Sequence, residues 1–523
     1  MKVGVLRRGL TAGLAFGLGL SVPLALGAQE AEAPLSAIDW LSESVNAEPV
    51  IAPGVAGEAP VADSARVPSI TVTPLDLPSP DRIGLLPPSS TGLPRTLWSG
   101  STVEDVVTLV RAERVETLPA LQGFLMTLML TEGDPPAGAG PSGHLFLARV
   151  DKLLDMGAVD PAFELLQAAD PATPELFRRY FDVALLTGTE DRACRRMADR
   201  PSVAPTLSAR VFCLARSGDW SAAALTLNTA VALGDVSDED EALLARFLDP
   251  ELFEGEADLP PPSRPSPLVY RMREGIGQGL STTTLPRAFA HADLHDTRGW
   301  KIRLEAAERL ARAGAIPHTV LFDLYRLQRP AASGGVWDRA RAFQSLDDAL
   351  AEGDDVSDAL AEAWAAAKSA RIEVPFAESY AQALDGARLS GPMAREAFQI
   401  SLLSRDYEAV ALERDPTQGG GFGLVADVAT GQVSERSLPD RPTPRDIAVR
   451  DAFTTAAPDP VLMAMAEDGR LGEALLRAVA TFTEGAQGDV TAARDALAFF
   501  RAVGLEDLAR RAALQLLILD RAP

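Results

Sequence analysis

A punctuated helical pattern between Glu190 and Asp235 places the strongest constraint on the fold of this chain. The stretch reads as helix, proline-marked turn, helix, glycine-marked turn and helix. At its centre Gly218 follows a helix end, where Gly adopts the left-handed conformation without a Cβ clash. Asp219 is placed to cap the next helix through its carboxylate. Helices joined by so short a turn lie antiparallel and cover each other's apolar stripes.

The same punctuation recurs along the chain. The glycines that mark it are Gly157, Gly188, Gly218, Gly314, Gly469 and Gly504. Each follows the end of a predicted helix, and an acidic residue often opens the next one. Hairpins of this kind bury their apolar faces by stacking on their neighbours. The sequence therefore predicts an all-α fold of irregular helical-hairpin repeats, an α-solenoid.

Three segments resemble the tetratricopeptide-like (Sel1-like) α-solenoid superfamily. The match is in Ala209–Gly234 and, more weakly, in Gly469–Phe482 and Ala493–Leu517. The spacing is irregular and departs from the roughly 34-residue period of that family. The resemblance implies a helical-repeat scaffold that binds a partner.

The first 27 residues are typical of a secretory signal peptide. A basic head precedes an apolar, glycine-rich run from Leu10 to Leu26, and small residues follow at a plausible cleavage point. The alternative is a transmembrane anchor, for which the run is short. We therefore expect an exported, soluble protein in the periplasm of a Gram-negative bacterium.

Composition shifts divide the rest of the chain. The expected parts are a disordered Pro/Ala-rich arm at 28–95, helical repeat block 1 at 96–255, a Pro-rich linker at 256–267, helical repeat block 2 at 268–415, a Gly/Pro-rich insertion at 416–445 and a C-terminal helical block at 446–523. The arm is predicted to stay unfolded because it has too little apolar surface to bury. The insertion contains one possible short β-hairpin, in which LVADV pairs with QVSER.

One short amphipathic segment interrupts the predicted arm. Ile38, Trp40 and Leu41 would share a face of a single helical turn. One interpretation is a linear motif that docks on a partner. The other is a turn that folds back onto the chain's own helices.

The two cysteines of the chain are Cys194 and Cys213. They lie several residues before and after the turn at Pro201 to Pro205, so antiparallel helices bring them within reach of a disulfide. Closing a loop of about 18 residues would contribute roughly 3 kcal/mol. Two buried thiols are the alternative, but an even count in an exported chain favours the bridge. Two cysteines without nearby histidines form no zinc site.

Composition and charge exclude some partners. The chain is 47% apolar but only 6% aromatic, so leucine and alanine must provide most of the packing. Its formal net charge of −24 argues against nucleic acids and anionic membrane surfaces as partners.

Candidate chemistry is sparse. His291 and His295 lie at i and i+4, a spacing that can hold a metal, but no third ligand is evident and two surface histidines are expected. Glu378-Ser379 resembles the catalytic pair of periplasmic lytic transglycosylases, but that family's accompanying motif is missing. The glycine-rich stretch Gly419–Gly423 lacks the Lys-Ser/Thr of a phosphate loop.

The sequence therefore predicts a scaffold or adaptor that binds a protein or peptide in the cell envelope, without catalysis, metal or cofactor. The alternative is a protein that acts on or binds envelope glycans through carboxylates of the second block. Four tryptophans are candidate contact residues, although burial in the core is expected for each of them: Trp220, Trp300, Trp337 and Trp364.

Overall fold

The computed structural model describes residues 79–413 and 423–519, and the regular elements in these ranges are helices. No β-strand occurs in them, and the β-type pairing is confined to isolated bridges such as Leu86 to Thr131. The predicted all-α class is confirmed. The predicted signal peptide at 1–27 and the segment with Ile38, Trp40 and Leu41 lie outside the described residues.

The helices fall into three groups along the chain. Those before the predicted linker are α1 (Pro88–Thr91), α2 (Val103–Ala112), α3 (Pro119–Leu130), α4 (His144–Met156), α5 (Val159–Ala168), α6 (Pro174–Thr187), α7 (Glu190–Asp199), α8 (Leu207–Arg216), α9 (Trp220–Leu233) and α10 (Asp238–Leu248). The next are α11 (Pro267–Gly275), α12 (Trp300–Ala311), α13 (His318–Arg326), α14 (Val336–Glu352), α15 (Ser357–Ala370), α16 (Glu373–Asp385), α17 (Gly391–Ser401) and α18 (Tyr407–Glu413). The last are α19 (Gly423–Thr430), α20 (Pro444–Thr454), α21 (Pro460–Glu467), α22 (Leu471–Ala486), α23 (Val490–Ala502) and α24 (Glu506–Ile518).

Short 3₁₀ helices complete the fold at Pro80–Arg82, Pro201–Val203, Pro250–Phe253, Thr282–Thr284, Arg287–Asp293 and Glu435–Ser437.

The predicted glycine punctuation is confirmed. All of the marker glycines have positive φ angles: Gly157, Gly188, Gly218, Gly314, Gly469 and Gly504. At the central turn Asp219 caps α9, because its carboxylate accepts a hydrogen bond of 3.0 Å from the backbone N–H of Ala222. Helices α8 and α9 pack against each other across this turn.

The predicted arm is wrong for its last part, because residues 79–95 are folded onto the helices. The Asp81 carboxylate accepts a 2.7 Å hydrogen bond from the backbone N–H of Phe146 at the start of α4. Arg149, fully buried in α4, donates to the backbone carbonyls of Ile83 and Thr131. Composition failed here because polar bonds to one distant arginine, together with burial of Leu93, hold a segment that has little apolar surface.

The predicted linker at 256–267 is irregular and mostly exposed, but side chains of the flanking helices hold it. Arg273 of α11 donates to the backbone carbonyls of Leu259 and Pro260. Ser263 is held by the Glu239 carboxylate of α10 at 2.6 Å. Helices α10 and α11, which precede and follow this segment, also pack directly against each other.

The last helices pack against the first. Helix α22 lies against α2 and α3, and α24 lies against α3. The backbone N–H of Gly472 donates to the carbonyl of Leu97 at 2.9 Å, and Gln515 accepts from the N–H of Ala120 at 2.8 Å. We call this contact between α2–α3 and α22–α24 the seam. It was not predicted, since an open solenoid leaves its end repeats apart.

The prediction of a short β-hairpin in the insertion is wrong. LVADV belongs to α19 rather than to a strand. Leu424 and Val428, one helical turn apart, are buried. Helix α19 packs on α24 and α18, so tertiary contact selects the helical period in this short apolar run.

Candidate functional site

The disulfide of the structure joins α7 to α8. Cys194 and Cys213 are bonded with their Cα atoms 5.1 Å apart, so the structure pairs the two cysteines that the sequence analysis joined. Helix α8 begins after the N-cap Thr206, whose hydroxyl accepts from the N–H of Ala209. The bridge ties α8 to α7, and the cap fixes where α8 begins.

A cavity of about 450 Å³ opens beside this disulfide. We call it the arginine cavity. It is lined by Asp191, Cys194, Arg195, Met197, Ala198, Pro201, Ala204, Arg210, Cys213, Leu214, Arg216 and Ser217. Its volume lies within the range of sites that hold ligands or peptide side chains. The walls are mostly apolar, with three guanidinium groups among them.

The arginines of this cavity differ in their partners. Arg216 binds the Asp191 carboxylate at 2.7 Å. Arg195 and Arg210 are exposed, and neither guanidinium group forms an ion pair or hydrogen bond within residues 79–413 and 423–519. By contrast, most of the buried or half-buried arginines among the described residues bind a carboxylate, as expected where acids outnumber bases by 73 to 49. Two unpaired guanidinium groups beside apolar walls make this cavity suited to an acidic group attached to an apolar body.

A second cavity of about 500 Å³ lies on the opposite face of α8. We call it the tryptophan cavity. It is lined by Glu190, Phe212, Ala215, Arg216, Trp220, Phe247, Arg271, Glu274 and Gly275. Phe212 and Phe247 stack with their ring centroids 5.4 Å apart. The Trp220 side chain is 51% exposed.

Only one of the two carboxylate oxygens of Glu190, which lines the tryptophan cavity, has a hydrogen-bond partner among the described residues. Oε1 of Glu190 accepts from Arg271 at 3.0 Å and lies 3.5 Å from Arg216. Oε2 of the same side chain is buried and has no hydrogen-bond partner among the described residues. Leaving a buried polar atom unpaired costs on the order of 1–3 kcal/mol.

Helix α9, which carries Trp220, is unusually apolar on its exposed side. It has no charged residue, and only Ala223, Leu227 and Ala230 are fully buried. Leu225 and Leu233 are each 69% exposed. The packing partners of α9 are α8 and α10, so much of its surface remains open.

The predicted tryptophan contacts separate into two groups. Trp220 is exposed, whereas Trp300 and Trp364 are buried and Trp337 packs on Trp300 with ring centroids 5.0 Å apart. Only Trp220 of these four is therefore open to a partner. A helix period could not separate them, because it places each on a helix but does not show which helix face a distant element covers.

The prediction of two surface histidines is wrong for His291. Its ring is buried at the 3₁₀ helix Arg287–Asp293, and its Nε2 lies 2.8 Å from the carbonyl oxygen of Gly157. Burial lowers the pKa of His291, so the neutral form is favoured. His295 lies against Gly188. Within the described ranges, no group of three or more histidine, cysteine and acidic side chains is arranged to hold a metal ion.

The structure brings Ser379 next to His318, a pairing that the sequence did not predict. Nδ1 of His318 lies 2.8 Å from Oγ of Ser379. Glu378 is bound by Arg405 at 2.9 Å. Burial lowers the pKa of His318. This small cluster joins α13 to α16.

Carboxylates of the second block are held by arginines. Arg339 and Arg312 bind Glu308, which also accepts from the hydroxyl of Tyr325. Arg326 binds Asp347 at 2.8 Å. These acids are therefore engaged in structural ion pairs. Of the glycine-rich stretch Gly419–Gly423, only Gly423 lies in the described part, as the first residue of α19.

No protein-family model matches this chain, and comparison with curated proteins and with solved structures also finds no match. Across residues 79–413 and 423–519, none of the helices has the length and apolar character needed to span a bilayer.

Proposed function

We propose that this protein is an exported, non-enzymatic scaffold of the cell envelope that binds an acidic, apolar segment of a protein partner in the arginine cavity. The observation that carries the proposal is the pair Arg195 and Arg210, which have no ion-pair partner in the described chain although they line an apolar cavity. In a chain of net charge −24, such a pair offers a local site for a carboxylate.

Other features support the same reading. The open apolar surface of α9 adds area that a partner could cover, with exposed Trp220 as an aromatic anchor. The disulfide supports export, because such bonds persist in oxidising compartments. The predicted signal peptide at 1–27 supports the periplasm as the destination.

The test is a site-specific photocrosslink in cells. A photoreactive benzoylphenylalanine replaces Ser217, which lines the arginine cavity, and a matched probe replaces exposed Ser333. We expect one protein partner to be captured from position 217 and not from position 333. Charge reversal at Arg195 and Arg210 should lower this capture at least about tenfold, because the partner's carboxylates would then be repelled.

The matched control reverses two exposed arginines elsewhere, Arg436 and Arg441. This variant has the same change in net charge and should crosslink like the wild type. The proposal is overturned if position 217 captures no protein, or if capture is unchanged when Arg195 and Arg210 are reversed.

A truncation separates the two interpretations of the segment with Ile38, Trp40 and Leu41. The deletion should span 29–78, because residues from 79 onward are folded onto α4. Loss of the captured partner would assign this segment to partner docking. Unchanged capture would assign partner binding to the helical part alone.

A further inference from the structure

The arginine cavity presents unpaired positive charge in a strongly acidic chain. The guanidinium groups of Arg195 and Arg210 line it without an ion pair among the described residues. Arg192, one turn before Arg195 on α7, is also exposed, and its guanidinium group has no ion pair within the same ranges. Buried Met197 and half-buried Leu214 supply apolar wall. An occupant of this cavity therefore needs carboxylates next to apolar side chains.

The chain itself carries such a segment before the first described residue. Ala37–Val45 has the sequence AIDWLSESV, in which Asp39 and Glu43 flank Trp40 and Leu41 and no basic residue occurs. Trp40 is the single aromatic residue of 29–78, so no other stretch of these residues combines two acids with a large aromatic side chain. The segment matches the arginine cavity in both charge and apolar character.

The connection between this segment and the described helices is long enough to reach the cavity. The described chain begins beside α4, where the Asp81 carboxylate accepts from the N–H of Phe146. Helix α4 packs on α5, α5 on α6 and α6 on α7, which lines the cavity. At about 8–10 Å between packed helix axes, these three steps cover roughly 25–30 Å. A flexible linker as long as residues 46–78 spans about 30 Å on average and at most about 110 Å.

Tethering makes a weak contact sufficient. A segment whose linker matches the distance to its site has an effective concentration there in the mM range. Two ion pairs and one aromatic contact then need to provide only a dissociation constant below about 1 mM. A second copy of the chain would have to be present at a similar concentration to compete. The observations therefore favour the chain's own segment as the occupant.

We propose that segment Ala37–Val45 occupies the arginine cavity of its own chain when no partner is bound. Its two carboxylates pair with Arg195 and Arg210, and Trp40 packs on the apolar wall. The segment takes the place of the partner's acidic, apolar segment, so a partner must displace it in order to bind. This regulatory role rests on the proposed function, because it requires that a partner use the same cavity.

The experiment is photocrosslinking within the purified full-length mature protein, from which any partner is absent. Benzoylphenylalanine replaces Ser217, which lines the cavity, or exposed Ser333 as the matched probe. Equal amounts of ¹⁵N-labelled and unlabelled protein are mixed before irradiation. Mass spectrometry of the digest should find the peptide that contains Ala37–Val45 joined to position 217 of a chain with the same label. Position 333 should give no such product.

Charge exchange tests the ion pairs. Asp39→Arg with Glu43→Arg should lower the crosslink between position 217 and the segment at least about tenfold, because like charges then face each other. Adding Arg195→Glu and Arg210→Glu to this variant should restore the crosslink, since both pairs form again with exchanged signs. A role for Trp40 alone would leave the crosslink unchanged in both variants.

The matched control is Glu58→Arg with Asp63→Arg, which alters the net charge equally but lies outside the segment. It should crosslink like the wild type. The proposal is overturned if position 217 is not joined to the segment, or if reversal of the segment's two acids leaves the yield unchanged. Joined peptides with randomly mixed labels would also overturn it, because they would assign the cavity to the segment of a second copy.

Capture in cells separates this result from the proposed function. If Asp39→Arg with Glu43→Arg frees the cavity, capture of the partner from position 217 should rise at least about threefold. Unchanged or lower capture would overturn the regulatory role. An intact crosslink to the segment in the purified protein, with no partner captured in cells by any variant, would overturn the proposed function alone.

Discussion

The seam and the α7–α9 region stabilise their helices in different ways. At the seam, Trp98 is fully buried, Phe124 meets Phe500 edge to face, and Thr117 bonds Thr483 across the contact. In the α7–α9 region, a covalent bridge joins α7 to α8, and cavities open on both faces of α8.

This difference indicates which region is suited to binding. Helices packed on several sides have little surface left for a ligand, and their cohesion comes from burial of apolar area. A disulfide restrains neighbouring helices without requiring that their faces be covered. The α7–α9 region can therefore keep its cavities and an exposed apolar helix while remaining folded.

The sharpest test of the comparison uses one tryptophan from each region. Trp98→Ala should lower the free energy of unfolding by about 3–5 kcal/mol, because it empties a closely packed site at the seam. Trp220→Ala should change it by less than about 0.5 kcal/mol, since that side chain is half exposed. Chemical denaturation measures both. Similar losses in the two variants would show that the seam and the α7–α9 region do not differ in how closely these side chains are packed.

A buried acid beside the seam gives a pH-dependent test. Burial raises the pKa of Glu113, at the end of α2, to about 8 from an ordinary value of 4.5. Between these values the unfolded chain ionises this group while the folded chain keeps its proton, so rising pH favours unfolding.

We expect wild-type stability to fall from pH 4.5 to pH 8, by a few kcal/mol relative to Glu113→Gln, which cannot ionise. Denaturation curves of the two proteins across this window measure the difference. Parallel pH profiles would show that Glu113 ionises equally in both states.

Removing the disulfide tests the α7–α9 region. The double variant Cys194→Ala, Cys213→Ala should lose about 3 kcal/mol, because a loop with a sequence separation of 19 residues is no longer closed in the unfolded chain. Limited proteolysis should then cut near Pro201–Val203 before it cuts the seam. Unchanged stability and an unchanged cleavage pattern would show that packing alone holds α7 to α8.

A pair of glycine substitutions gives the smallest expected effect. A Cβ at Gly472 would lie 2.5 Å from Cε3 of Trp98, so Gly472→Ala should cost about 1–3 kcal/mol through overpacking of the seam. Gly123 lies in α3 with nothing within 4 Å of an added Cβ. Gly123→Ala should therefore stabilise the protein by about 0.5–1 kcal/mol through helix propensity. Thermal unfolding distinguishes the two, and unchanged or increased stability of Gly472→Ala would contradict the close packing at that glycine.

Local patterns predicted the helical hairpins because their signals lie within a few residues. Gly218 ends α8, and Asp219 caps α9 with its own carboxylate. The cysteine pair could be proposed because one short turn separates its helices. The same reasoning failed for residues 79–95, which are held by Arg149 from a helix more than 60 residues away. It also failed for LVADV, because a short apolar run fits the period of a helix as well as that of a strand, and only its packing partner decides between them.

The candidate site was only partly accessible to this reasoning. Sequence periodicity could place Trp220 on a helix but could not show whether a later helix covers it. The unpaired state of Arg195 and Arg210 depends on where every nearby carboxylate lies, and the free oxygen of Glu190 depends on Arg271 from another part of the chain. Such facts come from contacts between residues that are distant in sequence.

Short-range chemistry in the chain is thus enough to specify helices, their ends and one covalent link, because glycine conformation, capping and loop closure act over a few bonds or one turn. The closure of α22–α24 onto α2–α3, the burial of Trp98 and the two cavities beside α8 arise only when distant helices meet. Side-chain burial and ion pairing depend on these contacts between distant helices, so they follow from the tertiary structure.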